Sequence, residues 1–392
     1  MRYPEFLQDN GSVGFIAPSF GCADGIYRWR FDKAVENLQN CGYKTVLGPN
    51  AYASNGTGIS NTPKKCAEEA NDFLTNDRSD VVISCGGGEL MCEILPYIDF
   101  EGIAKAAPKW FMGFSDNTNL TFLLNTLCDT ASIYGPNAGN YMSKESALEA
   151  YRFIMSRSGK SVEEIDELAN TMHLMARDGF DLISGKKLAF ENYENWYEEY
   201  KITNPENSSE DVKEGNTICG TEDGEQNEIR YSDFTTHNHK HFLYCGDKEV
   251  PEVSFEGRMV GGCLDCLSNL VGTRFDKVSD FAKRYKEDGI IWFLESCELN
   301  VMSQARSYWS LDNAGWFENV KAFVIGRPMM FDDTFDEFDH YKAAIHALSK
   351  FNVPIILDAD IGHLSPMMPI VSGAYASVRA DANKLKIEYE LR

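Results

Sequence analysis

The sequence predicts an α/β protein, with an N-terminal doubly wound, mostly parallel sheet domain and a C-terminal α/β domain that includes some antiparallel strands. Three observations carry this expectation. Over residues 1–143 short apolar, β-rich runs alternate with amphipathic stretches, the rhythm of βαβ units. A second series of the same kind starts near residue 258. The chain then ends on YASVRA and KLKIEYEL, whose period of two is that of half-buried strands.

In order along the chain, SVGFIAPS (12–19) reads as a strand, IYRWRFDKAVENLQNCG (26–42) as a helix closed by glycine, and YKTVLGP (43–49) as a strand. A helix follows around 62–76, then the strand DVVISCGGG (80–88) and the strand WFMGFSD (110–116), which runs straight into a helical stretch. Between 144 and 200, KESALEAYRFIMS and EEIDELANTMHLMA have helical spacing, so this segment is expected to cross between domains. Residues 202–233 are polar and acidic and read as an exposed loop or hairpin, part of an insertion near 202–250. RMVGGCLDCLSNLVGT (258–273), GIIWFLES (289–296), NVKAFVIGRP (319–328), a helix around 338–350 and NVPIILDADIGH (352–363) then build a C-terminal domain over 201–392.

Composition narrows the partners. The chain has 392 residues, 43% of them hydrophobic, enough for two cores. Thirty-seven basic against 60 acidic residues leave a net charge of −23, which would repel nucleic acid and anionic lipid alike. The opening MRYPEFLQDNGSVGF lacks the basic start and apolar stretch of a secretory leader, and no apolar run approaches the roughly 18 residues of a spanning helix. The eleven cysteines are odd in number and mostly set in apolar segments, so a cytoplasmic location is expected. Neither a metal nor a cofactor is expected.

The chemistry centres on GFSD. An apolar strand that turns abruptly into a helix is the arrangement of a nucleophile elbow, with Ser115 exposed at the turn. The alternative is that Ser115 or Asp116 merely caps the helix. Asn117 stands where G-x-S-x-G would have its second glycine.

A serine nucleophile needs a base, and the base an acid to orient it. Among seven histidines, His363 follows an apolar strand through a glycine, at a carboxyl end where α/β folds place their sites. His173, His340 and His346 read as helical, the last two as surface residues. Glu295 closes IIWFLE, a run so apolar that an unpaired carboxylate there would be expensive.

SCGGGEL (84–90) could lend backbone N–H groups to an anion, but it lacks both the dinucleotide spacing and the P-loop lysine. The run HNHKH would set His237, His239 and His241 on one strand face, a metal trap in outline. With no further ligand at the right spacing, an exposed cluster without function is expected. Cys263 and Cys266 form a lone C-x-x-C and are assigned to packing at a helix start.

Taken together, GFIAPS, SCGGG with LPYIDF, GFSD, YGPN, EGRMVGGCLDCL with LVGT, FLES, and ADIGH with PMMP resemble the LD-carboxypeptidase family of serine peptidases, which includes the microcin-C-resistance peptidases. The resemblance covers both ends of the chain and is weak over about 145–250. It implies a Ser115, Glu295, His363 triad and an oxyanion hole from the N–H groups of Asp116 and Gly88. It also implies a homodimer. The implied substrate is either a muropeptide losing its terminal D-alanine or a peptidyl or aminoacyl-adenylate-like amide. Trp196 is the candidate for holding an adenylate, and Arg258 and Arg327 for holding a carboxylate or phosphate. Cys263 departs from the family, which often has asparagine there. A silent binding protein of the same fold is the rival, and in it Glu295 and His363 would not approach Ser115.

Overall fold

A computed structural model describes residues 1–201 and 231–392. Most of the polar loop expected at 202–233 lies outside the described residues.

In chain order the strands are Ser12–Ile16 (β1), Lys44–Leu47 (β2), Val81–Ser84 (β3), Phe111–Gly113 (β4), Ser132–Tyr134 (β5), Ala189–Glu191 (β6), Asn195–Lys201 (β7), Ser232–Asn238 (β8), Phe242–Cys245 (β9), Lys248–Glu249 (β10), Glu252–Cys263 (β11), Ile290–Glu295 (β12), Val320–Gly326 (β13), Pro354–Ala359 (β14), Ile370–Ser372 (β15), Tyr375–Asp381 (β16) and Leu385–Glu390 (β17). The first sheet runs β15-β5-β4-β3-β1-β2 and is parallel except for β15. The second runs β10-β9-β14-β13-β12-β11-β16-β17-β6, with a parallel centre (β11 to β14) flanked by antiparallel strands. Strands β7 and β8 pair as a separate antiparallel hairpin.

The parallel strands β3 and β12, inside their sheets, are buried on both faces, which is why VVIS and IIWFLE read as unbroken apolar runs rather than alternating ones. β16 and β17 alternate buried and exposed residues, as an antiparallel sheet with one wet face does. Two short strands depart from chain order. β15, far along the chain, closes the edge of the first sheet on β5, and β6 closes the edge of the second on β17.

Between the sheets stands the helix Thr118–Cys128, buried nearly all round, its threonines and asparagines included, because it touches β4 and β5 on one side and β11 on the other. Its Phe122 stacks on Trp316 at 5.2 Å, and a fully buried phenylalanine is worth roughly 1.5–3 kcal/mol. Its buried Asn125 donates to the Thr130 carbonyl (2.8 Å), to Ser132 Oγ of β5 (3.3 Å) and to the Ser372 carbonyl of β15 (3.2 Å), so one polar side chain ties the helix to both β5 and β15. On the second sheet, the Cys263 N–H donates to Thr118 Oγ1 at 2.9 Å. These contacts bring the carboxyl ends of β3, β4, β12 and β14 to one place, where parallel α/β sheets bind their ligands.

Candidate active site

β4 ends at Gly113, and two residues later Ser115 adopts φ 65°, a left-handed conformation that costs a non-glycine residue about 1–3 kcal/mol. The strained turn has identifiable supports. The Ser115 N–H donates to the Tyr134 hydroxyl at 3.1 Å, and Asn117 Nδ2 donates to the carbonyls of Gly86 (2.8 Å) and Phe114 (3.0 Å), pinning the glycine turn to the elbow. Ser115 makes no capping bond to the helix that follows; its Oγ lies 2.8 Å from His363 Nε2.

His363 reaches that position because β14 is followed by a loop through Asp360 and Gly362. Gly362 has φ 111°, and a Cβ there would stand 2.6 Å from Glu295 Oε2, so the glycine lets the loop pass against the acid. Glu295, the last residue of β12, is buried, and its Oε2 lies 2.9 Å from His363 Nδ1. Its Oε1 accepts a short bond from the Tyr134 hydroxyl. Three residues far apart in the chain therefore form one hydrogen-bonded line, Ser115 to His363 to Glu295.

Burial disfavours charge on both partners, yet the pair outweighs it. The Glu295 carboxylate, with a contribution from Cys297, holds the His363 pKa well above the ordinary histidine value. Glu295 is held below the ordinary carboxylate value by the His363 charge and by donors from His363, Tyr134 and Cys263. The arrangement stabilises an imidazolium beside a serine hydroxyl, which is what a general base must become after taking the serine proton.

Of the expected oxyanion donors, Asp116 sits directly after Ser115. Its side chain, 4% exposed, is committed elsewhere, accepting from Ser19 Oγ (2.6 Å), Met91 N (2.8 Å) and Asn119 Nδ2 (3.0 Å), so only its backbone is left to act. Gly88 packs against Ser19 and Gly58. The glycine facing Ser115 is Gly87, where an added Cβ would lie 3.2 Å from Ser115 Oγ.

Trp196, on β7, is stacked on His237 of β8 at 4.1 Å and 14°, with the Arg327 guanidinium 5.1 Å from its ring. The β7–β8 pair docks on the loop that carries His363, since Tyr197 N–H donates to the Ser365 carbonyl at 2.8 Å. Arg327 is itself buried and paired with Asp360. Arg258 lies opposite Ile290, at the other end of the parallel strands from Glu295, and is paired with Asp288 at 2.6 Å. Five residues along a strand put it about 16 Å from the acid's backbone.

Two expectations about histidine are corrected. His239 and His241 are not an exposed cluster: their side chains are buried, their rings lie 4.4 Å apart, and His239 Nδ1 stands 3.5 Å from Asp360. The polar insertion does not hold them out in water, because the His241 N–H donates to the Ala382 carbonyl in the β16–β17 turn and draws the segment inward. His340 likewise is no surface residue. It is tucked 3.7 Å from Asp358 with its side chain 10% exposed, whereas His346 is exposed as expected. Cys263 and Cys266 do sit at the start of the helix Leu264–Leu270, both buried.

Tyr134 and Asn137 carry no role in the sequence reading beyond belonging to YGPN. The available signal was a hydroxyl-bearing aromatic at the end of a short apolar run. Among the described residues, no group of three or more His, Cys, Asp or Glu is arranged to hold a metal ion, and no helix is long and apolar enough to cross a membrane.

Comparison with known proteins adds an independent line. The LD-carboxypeptidase N-terminal domain model matches residues 13–135, and the LD-carboxypeptidase C-terminal domain model matches residues 256–378. Ser115 lies within the first span, Glu295 and His363 within the second. A Vibrio cholerae protein described as a carboxypeptidase is 24% identical over 99% of this chain and 98% of its own. The microcin C7 self-immunity protein MccF of Escherichia coli is 22% identical over 96% of this chain and 92% of its own. Solved structures of MccF superpose over 99% of both chains, with a TM-score of 0.69 at 19% identity for a mutant in complex with adenosine monophosphate and 0.67 at 20% for the complex with aspartyl sulfamoyl adenosine. An MccF-like protein from Bacillus anthracis superposes over the whole of both chains with a TM-score of 0.70 at 17% identity.

Proposed function

The chain belongs to the LD-carboxypeptidase family, and from that premise we propose that it is a serine hydrolase of peptide or amide bonds working through Ser115, His363 and Glu295. The observation that carries this reading is the 2.8 Å contact between Ser115 Oγ and His363 Nε2, with the other ring nitrogen 2.9 Å from Glu295. A silent binding protein would have no use for a base at that distance from a strained serine.

The chemistry follows from the geometry. His363 Nε2 takes the Ser115 proton as Oγ attacks the amide carbonyl, and Glu295 stabilises the imidazolium that results. The carbonyl oxygen, now an oxyanion, is bound by the N–H of Asp116 and by the glycine turn at Gly87 and Gly88. One such donor is worth about 3 kcal/mol in the transition state. His363 returns the proton to the leaving amine, an acyl-enzyme remains on Ser115, and water activated by the same imidazole releases the acid.

For the substrate, the reading favoured is a peptidyl or aminoacyl-adenylate-like amide, its base lying against the Trp196–His237 stack. Support comes from the position of that stack beside the loop of the base, and from the adenosine monophosphate and aspartyl sulfamoyl adenosine complexes of the MccF relative. The rival is an L,D-linked muropeptide losing its terminal D-alanine. Both are offered separately to purified wild-type protein and to Ser115→Ala, and products are read by mass spectrometry. Wild type should cleave the nucleotide amide faster, and Ser115→Ala should lose about 10⁶-fold in kcat, as removal of a nucleophilic serine does elsewhere, with unchanged folding. Equal turnover by the two proteins would end the assignment.

A further inference from the structure

The bonds around Tyr134 fix the direction of its single proton. A backbone N–H can only donate, so the phenol oxygen accepts from Ser115 at 3.1 Å, and the phenol hydrogen is left for its other neighbour, Glu295 Oε1. Tyr134 closes β5 in the first sheet, and Glu295 closes β12 in the second. One buried oxygen thus holds both the backbone of the elbow and the carboxylate that faces the base.

Resting on the reading of Ser115, His363 and Glu295 as the reacting set, we infer that Tyr134 is a positioning residue that tunes the basicity of His363 by sharing the Glu295 charge, while locking the nucleophile's backbone to that acid. The carboxylate has two oxygens and two principal claimants. The phenol takes one and the imidazole the other, so the charge felt by His363 is less than the whole. Other groups also face the pair. Cys263 reaches Glu295 from β11, Cys297 reaches His363 from the loop after β12, and Glu89, which feels the His363 charge, is also within electrostatic reach of Glu298, Asp265 and the buried Asp116. His340 and Asp358 line a small cavity of about 10 Å³ behind the carboxylate. None of these is disturbed when only the phenol oxygen is removed.

Without the phenol the whole carboxylate charge acts on the imidazolium, and His363 becomes harder to deprotonate. The test follows His363 by NMR in the full chain with ¹³C-labelled histidine, in wild type and Tyr134→Phe. The midpoint of the His363 titration should rise by about half a pH unit or more in the variant. With amide substrate, kcat should fall about tenfold or more while KM changes little, and the acidic limb of the rate profile should move up with the NMR midpoint. Should Tyr134→Phe fail to fold, Tyr134→3,5-difluorotyrosine, a stronger donor of the same shape, should move the midpoint down. An unchanged midpoint, or a shift of the opposite sign in either protein, overturns the inference. The titration needs no substrate, so wild-type protein that cleaves neither amide would refute the hydrolase reading and leave this result standing by itself.

Discussion

Residues 360–363 carry two buried meetings of imidazole and carboxylate, only three positions apart, and their electrostatics are opposite. His363 faces Glu295, whose remaining contacts are neutral donors, and its pKa is raised well above the usual value. His239 and His241 face Asp360, whose charge is already taken by the buried Arg327 guanidinium. Burial then dominates, joined at His241 by His239 and at both by Arg327, and it outweighs the opposing pull of Asp358 on both and of Asp360 on His241, driving His239 down to about 3 and His241 to about 4. The difference teaches that a carboxylate near a histidine is not enough to make a base. What matters is whether a fixed cation has already neutralised that carboxylate.

The two sites also respond to pH with opposite sign. His363 has a raised folded pKa, so its contribution to stability is present below the unfolded value of about 6.5 and is lost as pH rises through the folded value. For His239 and His241 the folded values are depressed, so their contribution is present above about 6.5 and is lost as pH falls toward about 4 and then about 3.

The strongest way to break the contrast is to give His363 a neutral partner. Glu295→Gln keeps the shape and removes the charge, and kcat should fall by about 10⁴, the scale seen when the acid of a serine triad is made neutral. Its His363 titration should move to lower pH, because burial then acts unopposed. A Gln variant with wild-type turnover would mean that the acid's charge plays no part. Next in size is the reverse change at the silent site. Arg327→Met leaves Asp360 buried without its cation and should cost about 3–5 kcal/mol in chemical denaturation. In the folded fraction His239 and His241 should titrate closer to the ordinary range, and values that stayed put would show that burial alone sets them. The smallest effect is expected at the hairpin, where Trp196→Ala should raise KM for an aminoacyl-adenylate-like amide about tenfold, the lower end of what one stacked base is worth. Unchanged KM would remove Trp196 from the substrate.

Much of this architecture was legible because parallel strands buried on both faces leave apolar runs, and because each run stops at the residue where it meets the site. FLE, GFSD and DIGH are such stops, so Glu295, Ser115 and His363 could be picked out of the chain by position as well as by residue type. The hidden parts depend on contacts too distant in sequence to leave a local trace. Tyr134 ends a strand of three residues, and what its hydroxyl holds lies on β12, 161 positions away. His239 and His241 sit in a polar context that argues for exposure, and what draws them inward, the β16–β17 turn and Asp360, is distant in sequence. Gly87 and Gly88 are identical in sequence terms; which of them faces Ser115 is decided by the packing of Ser19 and Gly58.

The strand at Ile370–Ser372 bears on how this molecule is made. A ribosome has finished all five parallel strands of the first sheet by residue 134, including the elbow, yet the outer edge of β5 stays bare until residues 370–372 arrive. Asn125 also waits for the Ser372 carbonyl. During synthesis the elbow therefore exists before Glu295, His363 and its edge strand. The part of the molecule that bears the serine is completed only once residues 370–372 have been made, after both Glu295 and His363.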